Sequence, residues 1–235
     1  MKSCQTAHHD YGAAMRAGEP LRLHNLRLPF AVRLTAHMGR HRLAGDRRAG
    51  VLDEGASLDL PAYRTLHYEG PVIADARAGH RLHLLIDEYT APAQRSPADD
   101  LRIKLAIRLA RAVFRDPASD WSLSMASQHM GMTRHALATQ LFREGSALTP
   151  IVREQRLMRA LLAALAASPG HMQMAKLAVQ TGFVSVKRFD MMFSRHFGCG
   201  VGQLEKRAWS PALTWSAVNH GSPGRGGAPS CLNAI

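Results

Sequence analysis

Two stretches of the chain carry cationic and small polar side chains where a helix would turn them outward at its leading end. In the first, Trp121 to Glu144, these are Arg134, His135, Ala138 and Thr139. In the second, Met174 to Gly198, they are Lys187, Arg188 and Met191, preceded by Ser185. Arginine and lysine donate to guanine edges, and to phosphates that position a partner without specifying its sequence. The chemistry indicated is recognition of base edges, so the question is which elements could hold these groups in place.

The unit that suits them is a helix-turn-helix, in which one helix crosses the nucleic-acid backbone and a second lies in the major groove. Its turn needs a residue tolerant of positive φ, and Gly131 supplies one. Four residues earlier, where the helices approach closely, only a small side chain fits, and Ser127 is small. Thr133 is a good N-cap for the second helix, and Leu137 and Leu141 face inward. The pattern recurs about fifty residues later. There Ala178 is the small residue, Gly182 the turn, Ser185 the cap, and Phe183, Phe189 and Phe193 the inward face. Between the units a helix is expected from about Pro150 to Ala166, with Pro150 in a permissible first turn and Ser168-Pro169-Gly170 as the stop. One small-x3-Gly motif is common by chance; two with matching caps are not.

From about Leu101 to Glu205 the chain resembles the DNA-binding domain of the AraC/XylS transcription regulators, over somewhat under half its length. The resemblance rests on Leu177-Ala178, Gly182-Phe183, Phe189, Phe193 and Phe197-Gly198 in the second unit. It rests also on Arg156-Leu157-Met158-Arg159-Ala160 in the connecting helix, and on Thr133 to Leu137 with Glu144-Gly145 in the first unit. Ser127 stands where the family has Ala, Val201 where it has Pro, and Leu204-Glu205 where it has Tyr-Arg. The resemblance implies double-stranded DNA and RNA polymerase as partners. It places two recognition helices in adjacent major-groove segments about one turn, roughly 34 Å, apart. Arg134, His135, Thr139, Lys187 and Arg188 are then the candidates for base or phosphate contact. An activator follows from the family habit, with virulence or secretion genes as targets suggested by the compact N-terminal half. A homodimer is compatible with it.

Charge fits this without requiring it. The chain has 235 residues and a formal charge of +12; residues 97–209 carry a net +8 and residues 1–96 only +3. A basic surface attracts polyanions but names no fold, so a nucleoid-type protein binding nucleic acid by charge alone is the alternative. The three cysteines, Cys4, Cys199 and Cys231, form no CxxC pair, which speaks against a disulfide framework or cysteine zinc site. His37, His41, His80 and His83 lack a third-ligand pattern, and the methionines Met172, Met174, Met191 and Met192 read mostly as gap fillers. No nucleophile elbow or phosphate loop appears, so neither enzyme activity nor a cofactor is expected. With no signal sequence and no membrane-spanning run, a cytoplasmic protein is the expectation.

The fold class expected is α+β: a β-rich domain over residues 1–95, an all-α domain of two helix-turn-helix units over 96–209, and a disordered tail over 210–235. Short apolar runs at Phe30–Ala36, Ser57–Leu60, Thr65–Tyr68, Val72–Ala74 and Leu82–Ile86, punctuated by glycines, suggest strands. The character changes near Ala91–Pro97, after which Leu101, Leu105, Leu109 and Val113 repeat at helix spacing until Pro117. The Arg40–Arg48 cluster reads as an exposed loop. The N-terminal domain would take a small effector or a protein co-regulator, the latter slightly favoured by its shortness. Tyr63, His67 and Tyr68 could line a pocket or belong to the core.

Overall fold

The computed structural model describes residues 21–45, 49–70, 81–86, 103–166, 173–208 and 213–217. Within these residues eight strands and seven helices follow in chain order. The strands are β1 (Arg22–Leu26), β2 (Val32–Met38), β3 (His41–Gly45), β4 (Ala49–Leu52), β5 (Ser57–Leu60), β6 (Leu66–Glu69) and β7 (Arg81–Ile86). The helices are α1 (Leu105–Arg115), α2 (Leu123–Met130), α3 (Arg134–Arg143), α4 (Leu148–Ala166), α5 (Met174–Gln180), α6 (Val186–Phe197) and α7 (Val201–Ala208), and β8 (Leu213–Ala217) follows them. The α+β class and the two-unit helical half agree with the sequence reading.

The strands form two four-stranded sheets, ordered β1-β6-β3-β4 and β5-β2-β7-β8. Alternation drives this arrangement: Val32, Leu34 and Ala36 of β2 are buried while Arg33 is exposed. Leu23, Leu43, Leu66 and Tyr68 face the same core from the other sheet. Exposed Arg33 pairs across the strands with Asp59, whose carboxylate it keeps below the usual range through hydrogen bonding.

Three expectations change. The Arg40–Arg48 stretch is not a loop throughout, because residues 41–45 form β3 and pair with β4 and β6. Its polar letters hide an alternating strand: His41 is fully buried, with its ring nitrogens bonded to Tyr68 Oη at 3.1 Å and Met38 O at 2.9 Å. Arg40 and Arg42 reach Asp53 and Glu69. The tail read as disordered from 210 contributes β8, whose parallel pairing with β7 supplies the backbone partners that its composition concealed. The connecting helix α4 starts at Leu148, two residues before Pro150. Val72–Ala74, the Ala91–Pro97 boundary, Leu101, Ser168–Gly170, His80, Cys4, Cys231, Met172 and the GSPGRGGAPS run lie outside the described residues.

Among the described residues two apolar cores organise the fold. One gathers α1, α2, α3 and the start of α4 around Leu109, Val113, Ala126, Leu137, Leu141 and Ile151. The other joins both sheets to the later part of α4 and to Phe189, Phe193 and Phe197 of α6. The β-rich half is therefore packed against the second helix-turn-helix unit. Asn25 in β1 donates to the His196 carbonyl at 2.8 Å, and Gly198 lies directly against the His24 ring. On the α1 side, Arg111 donates to Pro29 O at 2.9 Å and Phe30 meets Phe114 edge-on at 5.6 Å. Among the described residues no helix is long and apolar enough to cross a membrane.

Candidate nucleic-acid interface

In the first unit α2 is capped by Ser122, whose hydroxyl accepts from Met125 N, and it ends at Gly131 with φ 67°. Ser127 is buried in the contact between the helices, its hydroxyl donating to Ser124 O at 2.8 Å. Thr133 then caps α3 by accepting from Ala136 N at 3.2 Å. Leu137 and Leu141 anchor α3 in the core. Arg134, His135 and Ala138 are exposed and Thr139 is half-buried beside them. Arg134 reaches back to Ser124 Oγ at 3.0 Å, so its guanidinium stands over the junction of the two helices.

Glu144 fixes this unit from below. Its carboxylate accepts from the backbone N–H of Leu105 at 3.0 Å and of Ala106 at 2.8 Å, closing the otherwise bare start of α1. Burial raises the pKa of this group, but the bonds from Ala106, Gln140 and Leu105 outweigh it and hold the carboxyl below its ordinary value.

The second unit repeats the design with aromatic anchors. Ala178 is buried, Gly182 has φ 77°, and Ser185 caps α6 by accepting from Arg188 N at 3.3 Å. Phe189, Phe193 and Phe197 are fully buried, and Phe183 tilts against Phe189 at 5.1 Å. That leaves Ser185, Lys187, Arg188 and Met191 exposed. Among the described residues no ion pair engages Arg134, Lys187 or Arg188. Helices α3 and α6 thus each present positive charge without an acidic partner among the described residues at the N-terminal end, where the helix dipole adds to it.

Arg156 of α4 ties the units together. It donates to Pro117 O at 2.8 Å and to Ser119 O at 2.7 Å, both in the link between α1 and α2, while its guanidinium lies against Gly182 of the second turn. Burial lowers its pKa, as expected for a cation partly withdrawn from water. At 1.5 Å per residue the 19-residue α4 is about 28 Å long, which suits two units spaced by one turn of duplex.

No family model and no curated protein matches this sequence. Solved structures do. ToxT from Vibrio cholerae superposes on 82% of this chain and 94% of its own, with a TM-score of 0.52 at 11% identity. Its wild-type form with unsaturated fatty acid bound gives 81% and 92%, with a TM-score of 0.51 at 12% identity. The chain has a ToxT-like fold. A DNA-binding transcriptional dual regulator from Escherichia coli aligns over 46% of this chain and 96% of its own, at 21% identity with a TM-score of 0.43.

Within the ToxT-like fold lie features that sequence reasoning missed. Val184 is fully exposed, Val186 is 40% exposed and Phe142 on α3 is 82% exposed, whereas Met191, 51% exposed, was expected to point outward. Position was the available signal for Val184, since a residue between the anchor Phe183 and the cap Ser185 has no core to enter. The second omission is a polar node between the halves. Arg27, following β1, forms a two-pronged ion pair with buried Glu154 of α4 and lies 4.5 Å above the Tyr63 ring. Burial pushes the Tyr63 hydroxyl up to about 12. Of the candidate pocket residues, Tyr68 lines an apolar cavity between the sheets and α4. His67 instead accepts from Asn25 N at 3.3 Å.

Proposed function

We propose that this protein is a sequence-specific transcription regulator of the AraC/XylS type that binds double-stranded DNA through α3 and α6. It acts with RNA polymerase, as an activator by family habit, and virulence or secretion genes are the proposed targets. The observation that carries the reading is the repeated unit itself. Two capped helices, each set by a left-handed glycine turn and a buried small residue, present exposed cations and are joined by one long helix. The family motifs and the ToxT-like fold support it.

Duplex selection with the full chain from a random library, followed by affinity measurement at physiological salt, tests this. A specific site should bind at least about 10³-fold tighter than scrambled DNA. Charge-only binding would instead give no preference and a steep loss with salt. Lys187→Ala should weaken the selected site about 5- to 10-fold; unchanged affinity and salt slope would remove Lys187 from the interface.

A specific observation also bears on the input. An apolar cavity lies between the sheets and α4. Leu34, Leu43 and Leu84 line one side, Met158 and Leu161 the other, and Arg64 is the basic residue on its wall. Its chemistry suits an apolar tail with an acidic head. The fatty acid bound by ToxT has that chemistry. We therefore favour a small apolar effector over the protein co-regulator. Long-chain fatty acids near 100 times their Kd should stabilise the chain by about 2.7 kcal/mol and raise its Tm. Leu165→Phe, narrowing the cavity, should abolish the shift. No shift with any chain length, together with a co-purifying protein, would restore the co-regulator.

A further inference from the structure

The two recognition helices differ in what they expose. On α3 the leading residues are Arg134, His135, Ala138 and Thr139, a mainly polar set. Around α6 an apolar group stands in solvent instead: Val184 in the turn before the cap, Val186 in the first helical position and Met191 in the second turn. Single exposed apolar residues need no explanation, but these three fall within eight residues at the leading end of one helix.

The surroundings say what would cover them. Arg188, Met191 and Arg195 recur at spacings of three and four, which places them on one face, opposite Phe189, Phe193 and Phe197. Lys187 is exposed beside them, and Asp190 is the only acidic residue of the helix. The partner must therefore offer apolar groups inside a strongly anionic rim. A protein groove gives the first and seldom the second. Duplex DNA gives both, because each thymine projects a 5-methyl group into a major groove bordered by phosphates.

We infer that the second unit reads thymine methyl groups through Val184 and Met191, while the first unit reads its half-site through polar contacts. The inference rests on the DNA-binding reading above and adds to it an asymmetry: one thymine-dependent half-site and one that is not. Val186, half turned toward the core, closes the edge of the patch. Lys187 and Arg188 hold the flanking backbone or a neighbouring guanine.

The test replaces thymine by deoxyuridine in a duplex selected by the full chain, one half-site at a time, which removes the methyl and keeps the base pairing. Each contacted methyl should be worth about 4-fold in affinity, the factor expected for one methyl group taken out of water. Substitution in one half-site should therefore weaken binding and in the other leave it unchanged. The Val184→Ala, Met191→Ala double variant, altered only at exposed positions, should keep the wild-type Tm and lose the sensitivity to deoxyuridine. Specific binding that ignores deoxyuridine everywhere would overturn the inference and leave the regulator reading intact. So would sensitivity that persists in the double variant, or a double variant with normal DNA affinity but lost response to RNA polymerase. Failure to select any preferred duplex would overturn both readings.

Discussion

Replacing Gly182 by alanine should destabilise the protein by about 3–4 kcal/mol, combining left-handed strain with overpacking. The backbone there has φ 77°, where an L side chain costs about 1–2 kcal/mol. A Cβ would also stand 2.4 Å from Pro117 O and 2.7 Å from Arg156 Nε. Neither neighbour can give way cheaply, because the two are bonded to each other. Gly131 is the internal control. It has φ 67° but nothing within 4 Å, so Gly131→Ala should cost only the strain of about 1–2 kcal/mol. Urea unfolding of both variants measures the difference. Equal losses would show that the close packing of Arg156 against the second turn contributes nothing.

The second large effect concerns the polar node between the halves. Glu154 is 7% exposed, and Glu154→Ala would strand the Arg27 guanidinium opposite an apolar hole. Breaking a fully buried pair costs about 3–5 kcal/mol; because the Arg27 side chain is 36% exposed and can be rehydrated, about 2–3 kcal/mol is expected. The expected signature is non-additive. Arg27→Met combined with Glu154→Leu should lose markedly less than the sum of the single changes, since no uncompensated charge remains. Additive losses in a double-mutant cycle would mean that the two residues act separately.

What could be read from sequence followed the range of the interactions involved. The caps Thr133 and Ser185 and the turn glycines Gly131 and Gly182 are local, and each occupies its expected place. Strand β5 matches its apolar run because its boundaries are set by neighbouring turns. Strands β1 and β3 escaped because their sequences, RLHNL and HRLAG, show polar letters at inward positions or too few apolar ones. One of the bonds that lets His41 be buried comes from Tyr68, 27 residues away. The same holds for Arg27 and Glu154, which are 127 residues apart and carry no local mark of their pairing. For the interface, polar candidates were legible by type. Exposed valines were not, because an apolar letter is assigned inward unless an adjacent cap forbids it.

The division of the interior into two cores affects how the molecule comes apart. Helices α2 and α3 unfold against their own small cluster, whereas α6 cannot loosen without disturbing strands from both sheets. Helix α3 therefore belongs to a smaller apolar cluster than α6 does. Helix α6 is as rigid as the β-rich half on which it rests. An event in that half reaches α6 through direct packing and reaches α3 only through α1 and α4, so the two helices would respond in order rather than together.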